Sequence, residues 1–207
     1  MNEIQILIVE DEPLIAENLA HYLNNNDYSV CGIAYDGEEA TMFLENSLPD
    51  AVILDINLGT ETDGLDIARL INSKYPVPFI FLTSYADKET IEEAKKVKPW
   101  GYIVKPFNEQ TILASLEIAI SNFAKVSNSN QPHLNMEKIN RHLLSSVSDR
   151  EFEVLLRIYE GKTNQQIAEE LFVSINTIKK HINSTYLKLD AVSRSTAIVR
   201  LRELMNK

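Results

Sequence analysis

The chain is poor in the residues that several protein classes depend on. It holds one cysteine, Cys31, in 207 residues, so no intramolecular disulfide framework is possible and a reducing compartment is expected. The six glycines form no glycine-rich loop, which argues against a nucleotide cradled on backbone amides. No apolar run approaches the ~20 residues a membrane span needs. The N-terminal MNEIQILIVEDEP has no basic stretch ahead of its apolar run, so a cytoplasmic protein without a membrane partner is expected. Cys31 sits inside the apolar stretch YSVCGIA and reads as core, not nucleophile.

What is present is charge, unevenly placed. The net charge is −10. Residues 1–125 carry 8 Lys+Arg against 21 Asp+Glu, whereas residues 126–207 carry 12 against 9. An acidic part suited to a cation is therefore joined to a mildly basic part suited to phosphates.

Short apolar runs at 6–9, 28–34, 51–54, 79–82 and 102–104 alternate with longer segments of helical period. This alternation predicts an α/β domain over 1–124, a doubly wound layer of five parallel strands covered by helices on both faces. Its first helix is expected to begin at Pro13 and to bury Leu14, Ile15, Leu19, Tyr22 and Leu23. Residues 125–145, rich in Ser and Asn, read as a linker in which 136–144 can form a short helix. Residues 146–207 read as a small all-α domain of four helices.

Polar residues fall at the carboxyl ends of the apolar runs. Glu10 and Asp11 follow the first, Asp55 the third, Thr83 and Ser84 the fourth, Lys105 and Pro106 the fifth. Ligands of open parallel sheets bind outside these strand ends, so the groups should converge. An isolated EDE turn is usually solvated surface, but clustered carboxylates repel one another and favour a divalent cation such as Mg²⁺. One carboxylate can then attack a phosphoryl group while the cation and Lys105 neutralise the transferring oxygens. Asp55, ending the run expected to be central, is the candidate nucleophile.

VEDE, ILDIN, DGLDIA, LTSYA and GYIVKPF, in this order, resemble the receiver domain of two-component response regulators. The resemblance implies a flavodoxin-like fold and phosphorylation of Asp55 by a histidine kinase. It also implies that Asp11, Asp55 and the Asn57 carbonyl hold Mg²⁺, with Glu10 acting through water. Thr83 and Lys105 would contact the phosphoryl group, the Lys105–Pro106 bond would be cis, and Tyr102 would reorient as Thr83 moves. The segment INLGTETD is one residue longer than the usual pattern and lacks its proline, a departure that bears on loop mobility and phosphate lifetime.

In the C-terminal part, Thr163 or Asn164 can cap a helix ending near Leu171, and Ser174 can cap the next, which is helix-turn-helix spacing. The second helix has an apolar stripe of Ile175, Ile178, Ile182, Tyr186 and Leu189. Asn176, Lys180, Asn183 and Ser184 are expected opposite it, flanked by Lys179. A polar, basic face is often only solvated surface, yet Lys and Asn are the types that pair with guanine and adenine edges in the major groove. Lys162, Thr163 and Arg194 are candidates for phosphate contacts. The final helix carries Ala197, Ile198, Leu201 and Leu204 or Met205 on one stripe, suited to packing or dimerisation.

SDRE, GKTNQQIA, SINTIKKH and KLDAVSR resemble the LuxR/FixJ-type DNA-binding domain. The resemblance implies base contacts by Lys179, Lys180 and Asn183, with Thr177 and His181 near the backbone. Phe152 and Asp190 depart from common residue types. A phosphorylation-gated transcription factor on double-stranded DNA, homodimeric when active and catalysing only its own phosphorylation and dephosphorylation, is therefore expected. The competing readings are a protein-interaction module whose helical domain mediates assembly, and a free-standing phosphotransfer enzyme, for which no substrate-recognition segment is present.

Overall fold

The computed structural model describes residues 3–24, 26–59, 62–84, 88–129 and 133–206. The apolar runs become β1 (Ile4–Val9), β2 (Tyr28–Ala34), β3 (Ala51–Asp55), β4 (Phe79–Thr83) and β5 (Gly101–Val104). They form one parallel sheet in the order β2-β1-β3-β4-β5. β3 is central, and every residue of β3 and β4 is buried, which explains why both read as unbroken apolar runs without alternation. Registers set Val9 beside Leu54, Asp55 beside Leu82, and Thr83 beside Val104. The polar residues that follow these positions therefore emerge along one edge of the layer.

Between and after the strands lie α1 (Pro13–Asn24), α2 (Gly37–Asn46), α3 (Gly64–Lys74), α4 (Lys88–Lys96) and α5 (Glu109–Asn128). Asp36 and Asp63 cap α2 and α3 by accepting from the N–H groups of Glu39 and Asp66, each contact worth about 1 kcal/mol. On one side of the sheet Val9, Leu54 and Phe81 pack with Leu44, Ile67 and Ile71, each such side chain stabilising the fold by about 2 kcal/mol relative to exposure. In α1 the buried face is Ala16, Leu19 and Leu23, while Leu14 is 76% exposed. The expected stripe is corrected here: small Ala16, not Leu14, meets the sheet at the start of the helix.

Gln5–Ile120 forms one compact unit, and Ser121–Lys207, grouped with the first four residues, forms the other. α5 runs through this division and extends past Lys125, where a linker was expected. Its end is held by tertiary contacts: Asn128 donates to the Tyr159 carbonyl at 2.5 Å and accepts from Arg202 at 2.8 Å. Asn130, Gln131 and Pro132 of the expected linker lie outside the described residues.

The second unit continues with α6 (Met136–Asn140), α7 (Asp149–Tyr159), α8 (Asn164–Glu170), α9 (Ile175–Leu189) and α10 (Arg194–Asn206). α7 and α8 each open with a reciprocal capping box, Ser148 with Glu151 and Thr163 with Gln166, satisfying otherwise orphaned N–H groups. Ile158, Ile167, Ile178, Ile182, Leu189 and Leu201 form its core. The α10 stripe is spent on this packing: Ala197, Leu201, Leu204 and Met205 are buried, and Ile198 is half-buried. Among the described residues no helix is long and apolar enough to cross a membrane.

Candidate metal centre and nucleic-acid interface

The first cluster is built by strand ends. Asp55 closes β3, Thr83 closes β4, Glu10 and Asp11 follow β1, and Lys105 follows β5. One carboxylate oxygen from each of Glu10, Asp11 and Asp55 lies within 4.8 Å of the others. Lys105 Nζ donates to Asp55 Oδ2 at 2.5 Å and to Glu10 Oε1 at 2.9 Å. Glu10 and Asp55 thus share one ammonium, with the Asp11 carboxylate beside them. Burial, reinforced by repulsion from Asp55 and only partly offset by Lys105, pushes Glu10 up to about 7. Burial works against the charge of Lys105, but its bonds to Asp55 and Glu10 outweigh this and raise its pKa.

The rest of the pocket is arranged around Asp55. The Asn57 N–H donates to Asp55 Oδ1 at 3.1 Å, and the Asn57 side chain is exposed. Thr83 is nearly buried, and its Oγ1 has no hydrogen-bond partner among the described residues. Tyr102 is 41% exposed, its ring 6.0 Å from that of Phe81. The Lys105–Pro106 bond is cis. Gly64 permits α3 to start directly against the acceptor strand, since a Cβ there would meet the Asp55 carbonyl oxygen. Gly59 holds φ +63° with Asp11 Oδ2 3.4 Å from where its Cβ would lie, a left-handed position suited to glycine. Thr60 and Glu61 of the longer loop lie outside the described residues.

This donor set fits a hard divalent cation: oxygen-only ligands, excess negative charge, and one ligand, Asp11, facing solvent. Cys31 offers no competing chemistry, because burial and the nearby Asp50 push its thiol up to about 12.

The second cluster is a helix-turn-helix. α8 and α9 are joined by a short turn in which Phe172 takes φ 54°, and Ser174 caps α9 by accepting from the Thr177 N–H. Ile178, Ile182, Tyr186 and Leu189 are buried. Asn176, Lys180 and Asn183 are exposed, while Thr177, Lys179 and His181 are half-buried. Asp190 ends the helix at φ 56°, the left-handed conformation for which glycine is the usual choice.

Two expected phosphate contacts are corrected. Arg194 is 4% exposed, and its guanidinium donates to the carbonyls of Ile158 and Lys162, so it holds the α7–α8 turn. Thr163 is 6% exposed and serves as the cap of α8. Lys162 pairs with Glu170 at 2.6 Å. Ser184, expected on the reading face, instead donates to Glu151 Oε1 at 2.5 Å.

Comparison with known families decides the identity. The response regulator receiver domain matches residues 6–117, over half of the chain. The chain belongs to the response regulator family. Its C-terminal part, residues 145–201, matches the luxR family of bacterial regulatory proteins. This response regulator is 30% identical over 202 residues to the transcriptional regulatory protein LiaR of Bacillus subtilis, covering 95% of each chain. It is 36% identical over 123 residues to the transcriptional regulatory protein PdtaR of Mycobacterium tuberculosis, covering 59% of this chain. It spans about 60% of the length of PdtaR. The crystal structure of the signal receiver domain of a modulated diguanylate cyclase from Desulfovibrio desulfuricans superimposes with a TM-score of 0.57 at 36% identity, covering 61% of this chain and 99% of that one.

In this response regulator Glu151 of α7 and Lys188 of α9 form an ion pair with no sequence signal for the pairing. SDRE signals the capping box; nothing local signals that Lys188, 37 residues on, donates to the same carboxylate at 2.7 Å.

Proposed function

We propose that this response regulator is a phosphorylation-gated transcription factor. The observation that carries the reading is the convergence of the Glu10, Asp11 and Asp55 carboxylates, with Lys105 paired to Glu10 and Asp55. A histidine kinase presents a phosphohistidine; an Asp55 carboxylate oxygen attacks phosphorus, the P–N bond breaks, and the electron pair leaves with the imidazole. Asp11, Asp55 and the Asn57 carbonyl would hold Mg²⁺, with Glu10 acting through water; the cation supplies charge neutralisation on the transferring oxygens. Lys105 pairs with the phosphoryl group, the Thr83 hydroxyl donates to one of its oxygens, and Tyr102 follows Thr83. The chain catalyses only its own phosphorylation and dephosphorylation, in the cytoplasm.

The output is DNA reading. α9 enters the major groove with Asn176, Lys180 and Asn183 toward base edges, Lys179 beside them, and Thr177 and His181 near the backbone. Phosphorylation shifts the population toward the DNA-binding form, a two-fold dimer whose half-sites lie one helical turn, or a multiple, apart.

The test is binding to genomic fragments by wild type and Asp55→Asn, each with and without a small-molecule phosphodonor and Mg²⁺. Tightening with donor in wild type alone is expected. Equal, donor-independent binding removes the switch. Absence of binding under every condition leaves the helical domain as an assembly module.

A further inference from the structure

A heavily bonded buried charge outside the pocket is Glu151, 5% exposed near the start of α7. Its Oε1 accepts from Ser184 Oγ at 2.5 Å and Lys188 Nζ at 2.9 Å. Its Oε2 accepts from the Ser148 N–H at 2.7 Å, the Ser148 hydroxyl at 2.8 Å and Lys188 Nζ at 2.7 Å. Lys188 donates in addition to the Ser146 carbonyl at 2.9 Å. Glu151 is thus fixed on α7 by its capping box and grips α9 at two places one helical turn apart.

Those two places share a row with the exposed reading residues. Asn176, Lys180, Ser184 and Lys188 follow one another at i, i+4 spacing, so they line one side of α9. The first two are exposed; the last two are drawn onto Glu151. The opposite side of α9 rests on the apolar core, and apolar contact is non-directional. Hydrogen bonds are directional, so the Glu151 contacts favour one rotation of the helix about its axis over its neighbours.

We propose that Glu151 is a positioning residue for DNA reading: through Ser184 and Lys188 it sets the rotation of α9, and with it the direction of Asn176 and Lys180. The inference rests on the DNA-reading function proposed above. Glu151 is buried beneath the face and acts through the helix it holds. Burial alone would raise its pKa, but the bonds from Lys188, Ser184 and Ser148 hold it at about 2, so the grip is intact at every pH at which DNA binding is measured.

The test uses the full chain with phosphodonor and Mg²⁺, a duplex enriched by the wild type from random-sequence DNA, and a scrambled duplex of equal length. Ser184→Ala, Ser184→Thr and Glu151→Gln are compared by thermal melting and by the ratio of dissociation constants for the two duplexes. Ser184→Ala removes one hydroxyl at the edge of the core and is expected to fold and to bind the scrambled duplex like wild type. Its ratio is expected to fall about tenfold, the scale of one well-placed base contact. Glu151→Gln falls further, and Ser184→Thr, which keeps the hydroxyl, restores the ratio. A wild-type ratio in folded Ser184→Ala and Glu151→Gln overturns the proposal. So does equal weakening on both duplexes, which marks a purely structural role. If the wild type enriches no duplex, the DNA-reading function falls and the inference with it, a failure distinct from the other two because it lies in the wild type.

Discussion

Each unit of the molecule buries a glutamate against a lysine, and the two sites behave in opposite ways. Glu10 shares Lys105 with Asp55, has a third carboxylate beside it, and is pushed up to about 7. Glu151 has Lys188 and three further donors from Ser148 and Ser184, and is held at about 2. Burial works to raise both; at Glu10 it prevails, helped by repulsion from Asp55, whereas at Glu151 the bonds from Lys188, Ser184 and Ser148 outweigh it. A buried acid whose acceptors are all filled fastens helices together. An acidic site left short of positive charge is prepared to receive a cation and a phosphoryl group, at a cost in stability that functional sites commonly carry.

Removing each glutamate should therefore move stability in opposite directions. Glu151→Ala is expected to destabilise the helical unit by about 3 kcal/mol, because Lys188 is left half-buried beside unfilled hydroxyls; thermal or urea unfolding of the full chain measures it. Glu10→Gln is expected to stabilise the α/β unit by about 2 kcal/mol at about pH 8, where the native state otherwise forces a charge into the pocket. Destabilisation by Glu10→Gln at that pH would break the comparison.

The pH responses differ in sign as well. Glu10 has a raised pKa, so between 4.5 and about 7 the folded state binds more protons than the unfolded one and stability falls as pH rises. Glu151 has a lowered pKa, so its contribution is complete above 4.5 and is lost as pH falls toward about 2. A cation must displace the proton on Glu10, so Mg²⁺ affinity should rise about tenfold from about pH 6 to about pH 8. Calorimetry at the two pH values reads this directly, with proton release accompanying binding at the lower one.

A smaller effect separates surface from scaffold in the helical unit. Lys180→Ala should weaken sequence preference. Arg194→Gln should lower the melting temperature while leaving the salt slope of DNA binding unchanged, since Arg194 is committed to the carbonyls of Ile158 and Lys162. A slope reduced by about 1 in Arg194→Gln would instead restore it as a phosphate contact.

The pocket was legible in the sequence because parallel strands are short, unbroken apolar runs and their carboxyl ends meet. Glu10, Asp11, Asp55, Thr83 and Lys105 could be placed by that rule alone. The helix-turn-helix was legible from caps and from the period of Ile178, Ile182, Tyr186 and Leu189. The burial of Arg194 and the capture of Ser184 were not legible. Charge and hydroxyls default to the surface in any periodicity argument, whereas the carbonyls at the end of α7 and the Glu151 carboxylate that capture them come from distant segments. Leu14 failed for the converse reason: it is apolar like a core residue, but it lies on the solvent side of the first turn of α1.

Phosphorylation of Asp55 is tested by peptide mapping of the chain after treatment with a small-molecule phosphodonor, with Mg²⁺ and with chelator. A single phosphoryl adduct on Asp55 is expected, formed with Mg²⁺ and lost with chelator and in Asp55→Asn. An adduct on another residue, or one that forms equally well in chelator, would contradict that expectation.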